Sequence, residues 1–254
     1  MVDIKQVLAG LPQTKRIYLM DSYLKKHKSQ VTNVFVDHGQ KAYIVLRESL
    51  FHPQGGGQPS DIGFLKSISS VFEVRKVLDI NGVFAHNGRF VSGSFKENDE
   101  IECEIDWELR YKIMKLHTTG HILDYALRKV YGKEVGTLGA LHGPPKAYTI
   151  YTAEPPDQVM LNSIEKIANE IVREDKNVSI VYVDAAKLPE VAVNAPNLDR
   201  LPASDRYRIV IIDGVNGIPC AGTHVKKTGE VEHIKVLGAE VEQEGFKLYY
   251  DVEP

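Results

Sequence analysis

The stretch Trp107–Gly132, WELRYKIMKLHTTGHILDYALRKVYG, decides how this chain is read. Apolar or small residues recur at Ile113, Leu116, Gly120, Leu123, Leu127 and Val130, the three-and-four spacing of a half-buried helix, and Gly132 stops it. Upstream the period changes. From Gln30 to about Ile105, the runs VTNVFV, KAYIVL, SSVFEVRKVL and EIECEI are rich in β-branched and aromatic residues, with breaks at His38-Gly39, Asn81-Gly82 and Asn98-Asp99. Short strands broken this way predict a small barrel or a curled sheet, since closure removes exposed edges. Downstream, a strand AYTIYTA precedes a second helix that starts near Pro155 or Pro156 and carries Leu161, Ile164, Ile167, Ala168 and Ile171 on one face. The runs VSIVYV, RIVIID, EHIKVLGAEVE and FKLYYDVE then read as strands. The expected fold class is α+β. A β-barrel-like domain over 1–107 is followed by an α+β domain over 108–254, with helices packed on a largely antiparallel sheet.

Hydrophobic residues make up 43% and charged residues 26%, which excludes a disordered chain. No stretch approaches the roughly 20 apolar residues of a bilayer-spanning helix. The start MVDIKQVLAG also lacks an apolar run with a cleavage site, so the expected location is cytoplasmic, with no membrane partner. Two cysteines, Cys103 and Cys220, do not make a disulfide framework, which leaves either free to be a ligand. The net charge of −3 announces no nucleic acid, so any RNA contact must use a local patch. The candidates are Lys25, Lys26 and Lys28; Arg110, Lys112 and Lys115; Arg128, Lys129 and Lys133; and Lys226 with Lys227. A solvated face is the simpler reading of each.

The first helix carries His117 and His121 four positions apart, so both imidazoles lie on one face and can point at one ion. Alone, that spacing is a weak signal. The second half is Cys220 and His224 in PCAGTHV, directly after the turn IIDGVNGIP. Thiolate and imidazole are preferred zinc donors, and Gly222 lets the backbone fold so that they converge. The competing reading is a buried structural cysteine beside an unrelated surface histidine. Asp124, one turn after His121, is placed either to orient a ligand imidazole or simply to face solvent.

The segments LHTTGHILDYAL and CAGTHVKKTGEV closely resemble the paired zinc motifs of alanyl-tRNA editing proteins, the free-standing AlaX relatives of the editing domain of alanyl-tRNA synthetase. LFHPQGGGQPSDIG resembles the glycine-rich segment of the longer AlaX forms. The three matches run in the family's order from about Phe51 to Gly229. The resemblance implies a trans-editing hydrolase that acts on mischarged tRNA(Ala), removing serine and in some members glycine, with no other protein partner. It places zinc, and with it catalysis, on His117, His121, Cys220 and His224. In short relatives a threonine after the second histidine senses the serine hydroxyl; an ungapped count falls on Leu138, one position past Thr137, and nominates Thr137. Gln54, Gly55, Gly56, Gly57 and Gln58 are expected to wall the cleft, because successive glycines let backbone N–H groups approach an anion. Lys226 and Lys227 are expected to meet phosphate.

Four protein donors make a closed type of zinc site, whereas a catalytic zinc usually keeps a position open. A weak ligand, five-coordination, or a zinc that grips the substrate while another group activates water would each reconcile the two. The alternative outside enzymes is a zinc-stabilised tRNA-binding module without turnover.

Overall fold

The computed structural model describes residues 3–253. They divide into two compact units: one runs to Gly55 and resumes over Pro59–Arg110, and the other comprises Gly56–Gln58 and the residues from Tyr111 onward.

The first unit opens with the short helix α1 (Ile4–Val7), capped by Asp3, whose carboxylate accepts the amides of Lys5 and Gln6. Its strands are β1 (Lys15–Arg16), β2 (Lys26–His38), β3 (Lys41–Leu46), β4 (Glu48–Ser49), β5 (Gly63–Lys66), β6 (Val71–Ile80), β7 (Val83–Ser92) and β8 (Glu100–Ile105). Six of them close into an antiparallel barrel in the order β2-β3-β7-β6-β5-β8, with β8 pairing back onto β2. The period of two explains the closure. In β8 the residues Ile101, Cys103 and Ile105 point inward while the intervening glutamates do not. Phe72, Phe90 and Phe95 meet edge-on in the core, at ring separations of 5.0 and 5.4 Å. The expected barrel is present.

In this unit Arg110 is completely buried. Its Nε donates to Asp61 Oδ1 at 2.8 Å and its Nη2 to Asp61 Oδ2, while Nη1 reaches Ser22 O and Nη2 also Leu50 O, both at 3.0 Å. Arg110 is therefore not part of a basic RNA patch, as its spacing with Lys112 and Lys115 allowed. The carboxylate of Asp61 takes its charge inside instead.

The second unit contains α2 (Trp107–Tyr131, its first turn belonging to the first unit), β9 (Thr137–Leu141), β10 (Ala147–Tyr151), α3 (Gln158–Arg173) and β11 (Val178–Asp184). After these come α4 (Leu188–Val191), β12 (Arg206–Ile212), β13 (Asn216–Pro219), β14 (His233–Glu242) and β15 (Gly245–Glu253). The strands form two antiparallel sheets, β14-β15-β10-β9 and β11-β12-β13. Helix α3 lays Ile164, Ala168 and Ile171 inward beside β14. Its Asn169 amide pairs with both backbone groups of Ile234, at 2.8 and 2.9 Å. This is the α+β class expected.

One feature of α2 departs from its pattern. The spacing predicts a half-buried helix, but Leu116–Leu123 are buried on every side. Small residues make this possible: Thr119 returns its hydroxyl to Lys115 O at 2.9 Å, and Thr118 accepts the Val225 amide at 3.3 Å. Both sheets reach the helix, with Tyr151 of β10 donating to Asp124 and Asn216 of β13 donating to His121 O. Among the described residues no helix is long and apolar enough to cross a membrane.

Candidate metal centre

His117 and His121 project from successive turns of α2, with ring centres 5.4 Å apart. Cys220 follows β13, and its N–H is held by Arg208 O at 3.1 Å. The tight segment from Cys220 to His224 returns His224 to within 4.3 and 4.5 Å of the His117 and His121 rings. Gly222 is required at the bend for space: a Cβ there would stand 2.2 Å from His117 Cε1 and 2.6 Å from Gln58 Oε1. Its N–H instead donates to the Cys220 sulfur at 3.4 Å.

The donor atoms of His117, His121, Cys220 and His224 all lie within 4.8 Å of one another. Cys220 Sγ is 3.5 Å from His117 Nε2 and 3.4 Å from His224 Nε2. A tetrahedron with bonds of about 2.0–2.1 Å to nitrogen and 2.3 Å to sulfur has N···S edges of about 3.5 Å, so the set fits a metal ion of zinc's size. Protonation favours the same use. Burial, with smaller contributions from His142 and Arg208, holds His121 neutral by lowering its pKa to about 3. His121 Nδ1 is buried and has no hydrogen-bond partner among the described residues. Burial pushes the Cys220 thiol up, against the Gly222 amide and Arg208 that pull it down. A nearby cation reverses that balance, since a coordinating thiol is deprotonated outright.

The groups behind the donors fix their direction. Gln58 Oε1 accepts the Thr223 amide at 2.9 Å and its Nε2 donates to Thr223 Oγ1 at 2.9 Å, which sets the orientation of the amide. The same oxygen lies 2.9 Å from His117 Nδ1, so that nitrogen carries the proton and Nε2 turns its lone pair toward Cys220. Thr118 Oγ1 is 3.1 Å from His224 Nδ1 and leaves that ring's Nε2 facing the same sulfur. Carbonyl and hydroxyl partners of this kind commonly orient metal-ligating histidines.

A fourth imidazole stands beside the cluster, and its sequence position gave no sign of it. His142 follows β9 and stacks on His117 with ring centres 4.4 Å apart and planes 14° from parallel. Its Nδ1 is hydrogen-bonded to the Tyr250 hydroxyl at 2.6 Å, and its amide donates to Gly57 O at 2.8 Å. Burial lowers its pKa to about 4. The overlooked signal is Gly120 in mid-helix, which costs about 1 kcal/mol relative to alanine unless something needs the room. A Cβ at that position would come 2.6 Å from His142 Cε1.

The other anticipated residues divide. Gln58 is buried against the cluster and Gly57 touches His142 through its carbonyl, whereas Gln54 and Gly55 are exposed residues of the first unit and Gly56 is exposed at a positive φ of 56°. Thr137 is engaged by Asn197, whose Nδ2 donates to its hydroxyl at 2.6 Å, and it pairs in register with Tyr151. Lys226 and Lys227 are exposed, and Lys227 forms an ion pair with Asp175 at 2.7 Å. Asp124 neither orients a ligand imidazole nor faces open water. It is half-buried and accepts the Tyr151 hydroxyl at 2.8 Å, with burial raising its pKa to about 7.

Residues 12–109 match the model of class II (A) tRNA synthetases, and residues 207–246 match the second additional domain of threonyl and alanyl tRNA synthetases. The alanyl-tRNA editing protein AlaX-M of Methanosarcina barkeri is 31% identical over 230 residues, which is 88% of this chain and 92% of that protein. The chain belongs to the alanyl-tRNA editing family. AlaX-L of Pyrococcus horikoshii is 32% identical over 223 residues, covering 88% of this chain and 54% of that relative. The alanine–tRNA ligase of Halobacterium salinarum is 34% identical over 243 residues, and there this editing-family chain spans only 26% of the ligase's length.

Proposed function

We propose that the chain edits mischarged tRNA(Ala) in trans, hydrolysing the ester of Ser-tRNA(Ala), with Gly-tRNA(Ala) as a second candidate substrate, and with a zinc ion held by His117, His121, Cys220 and His224. The observation that carries this reading is the convergence of three imidazoles and a thiol from two distant segments on one point. Water is consumed, and the products are the free amino acid and a tRNA with an unesterified terminal ribose. Zinc held by these residues supplies a Lewis acid for that reaction. The chain itself does the positioning. Gln58 and Thr118 aim the imidazoles, and His142, braced by Tyr250, supports the face of His117.

Serine cannot be selected over alanine by size, since a pocket that admits serine admits the smaller residue. A polar partner is needed that alanine would leave unpaired. Thr137 takes that role in this reading, exchanging part of its bonding with Asn197 for the substrate hydroxyl. Gln54, Gly55, Gly56, Gly57 and Gln58 are assigned to the wall of the cleft, and Lys226 and Lys227 to tRNA phosphate. For Lys227 the exposed pair with Asp175 is screened by solvent and readily exchanged. The domain assignment 1–107 and 108–254 and a cytoplasmic location belong to the same proposal. The four-donor set favours one second reading, a zinc-stabilised tRNA-binding module without turnover.

One assay separates them. The purified protein is incubated with Ser-, Gly- and Ala-tRNA(Ala), with and without a chelator, and the charged fraction is followed. Metal-dependent loss of serine with alanine retained is the expected result. Stable binding of all three without deacylation would replace the hydrolase with the module.

A further inference from the structure

Arg208 lies on β12, beside Cys220, and grips both of that residue's backbone groups. Its carbonyl accepts the Cys220 N–H at 3.1 Å, and its Nη1 donates to the Cys220 carbonyl. The rest of the guanidinium is unused. Nε and Nη2 are buried and have no hydrogen-bond partner among the described residues. These two nitrogens form the side edge of the guanidinium, the fork whose parallel N–H groups match two oxygens of an oxyanion. Leaving both donors of a permanent cation unpaired is costly, and a bound anion would remove that cost. The location narrows which one. Both of its hydrogen bonds run to the backbone of Cys220, which puts the side chain beside one of the four candidate metal donors. Across the strand pair the register partner of Arg208 is Tyr182, 50% exposed, whose ring lies under the Arg206 guanidinium at 5.9 Å.

We propose that the Nε/Nη2 edge of Arg208 binds an oxyanionic group of the substrate at the metal centre. This deepens the editing reading and rests on it. One chemistry has two sources there: the phosphate of the terminal nucleotide, and the oxyanion that develops on the ester carbonyl during hydrolysis.

The test uses the full chain, its Arg208→Lys variant and two small esters, seryl-adenosine and seryl-AMP, each esterified on the ribose. Lysine keeps the charge and loses the fork. We expect kcat/KM to fall at least tenfold with zinc content and thermal midpoint unchanged. A loss confined to seryl-AMP and expressed in KM identifies the phosphate, and an equal loss on both esters expressed in kcat identifies the carbonyl oxyanion. Wild-type rates on both esters overturn the proposal, as does a loss that merely tracks lost zinc, which would reduce Arg208 to a clamp on Cys220. If the wild-type chain cleaves neither ester, the editing reading fails, and titration with AMP decides the fork separately. A saturable shift of the Arg208 Nε–H resonance sustains it, and an unmoved resonance removes it.

Discussion

Arg110 in the barrel unit and Arg208 in the second unit are both guanidinium groups with nitrogens shut away from water, and they differ in how they are satisfied. Arg110 spends its donors on Asp61, Ser22 and Leu50, while Arg208 holds one carbonyl and its side edge has no partner among the described residues. The histidines repeat the contrast. His86, wholly buried in the barrel, is bonded to Ser49 Oγ and Ile44 O, both at 2.8 Å, whereas His121 keeps an unpartnered Nδ1. A buried polar group with every partner in place is finished structure. One without a partner calls for an explanation, and at a cluster of metal-donor side chains a bound ion or substrate group supplies it.

The largest effect should come from breaking the finished side. Asp61→Asn leaves the Arg110 charge buried and uncompensated and should cost about 3–5 kcal/mol in urea unfolding. Arg208→Met in the same measurement should be neutral or stabilising by about 1 kcal/mol, because it removes an unpaired charge. Equal large losses in both variants would erase the distinction.

Next in size is a pH effect. Burial lowers the His86 pKa to about 4 from 6.5, so the fold carries that ring neutral. Below pH 6.5 the unfolded chain takes up a proton that the folded chain refuses. Stability that is fully present above pH 6.5 should therefore be lost as pH falls to 4, by about 3 kcal/mol from this group. His86→Gln should flatten that part of the profile. A slope equal to that of the parent chain would show that the acid sensitivity resides elsewhere.

Much of this architecture was legible in the sequence because it rests on periodicity. The alternation of EIECEI gave a barrel wall and the three-and-four spacing after Trp107 gave α2, while the four candidate metal donors came from the resemblance to the editing family's paired motifs. What escaped depends on contacts across the chain. Arg110 resembles its neighbours Lys112 and Lys115 until Asp61 is seen beneath it. Arg208 sits in a strand where alternation alone would place an ordinary polar residue. His142 is recruited by vacancies at Gly57 and Gly120, and an absent side chain has no periodicity. In sequence the glycine-rich loop is one continuous segment, yet Gly56–Gln58 group with the second unit while Gly55 and Pro59 group with the first.

The smallest effect concerns how the donors are aimed. Gln58→Leu removes the acceptor for His117 Nδ1 and should weaken metal binding by about 10–100-fold in chelator competition, with all four ligands still present. Unchanged affinity would mean that Gln58 only packs.

The central claim is that His117, His121, Cys220 and His224 together hold one zinc ion, and X-ray absorption at the zinc edge tests it most directly. The account predicts one zinc per chain, with three nitrogen scatterers at about 2.0–2.1 Å and one sulfur at about 2.3 Å, the sulfur vanishing in Cys220→Ser. A spectrum without sulfur, or zinc well below one per chain after zinc loading, would contradict it.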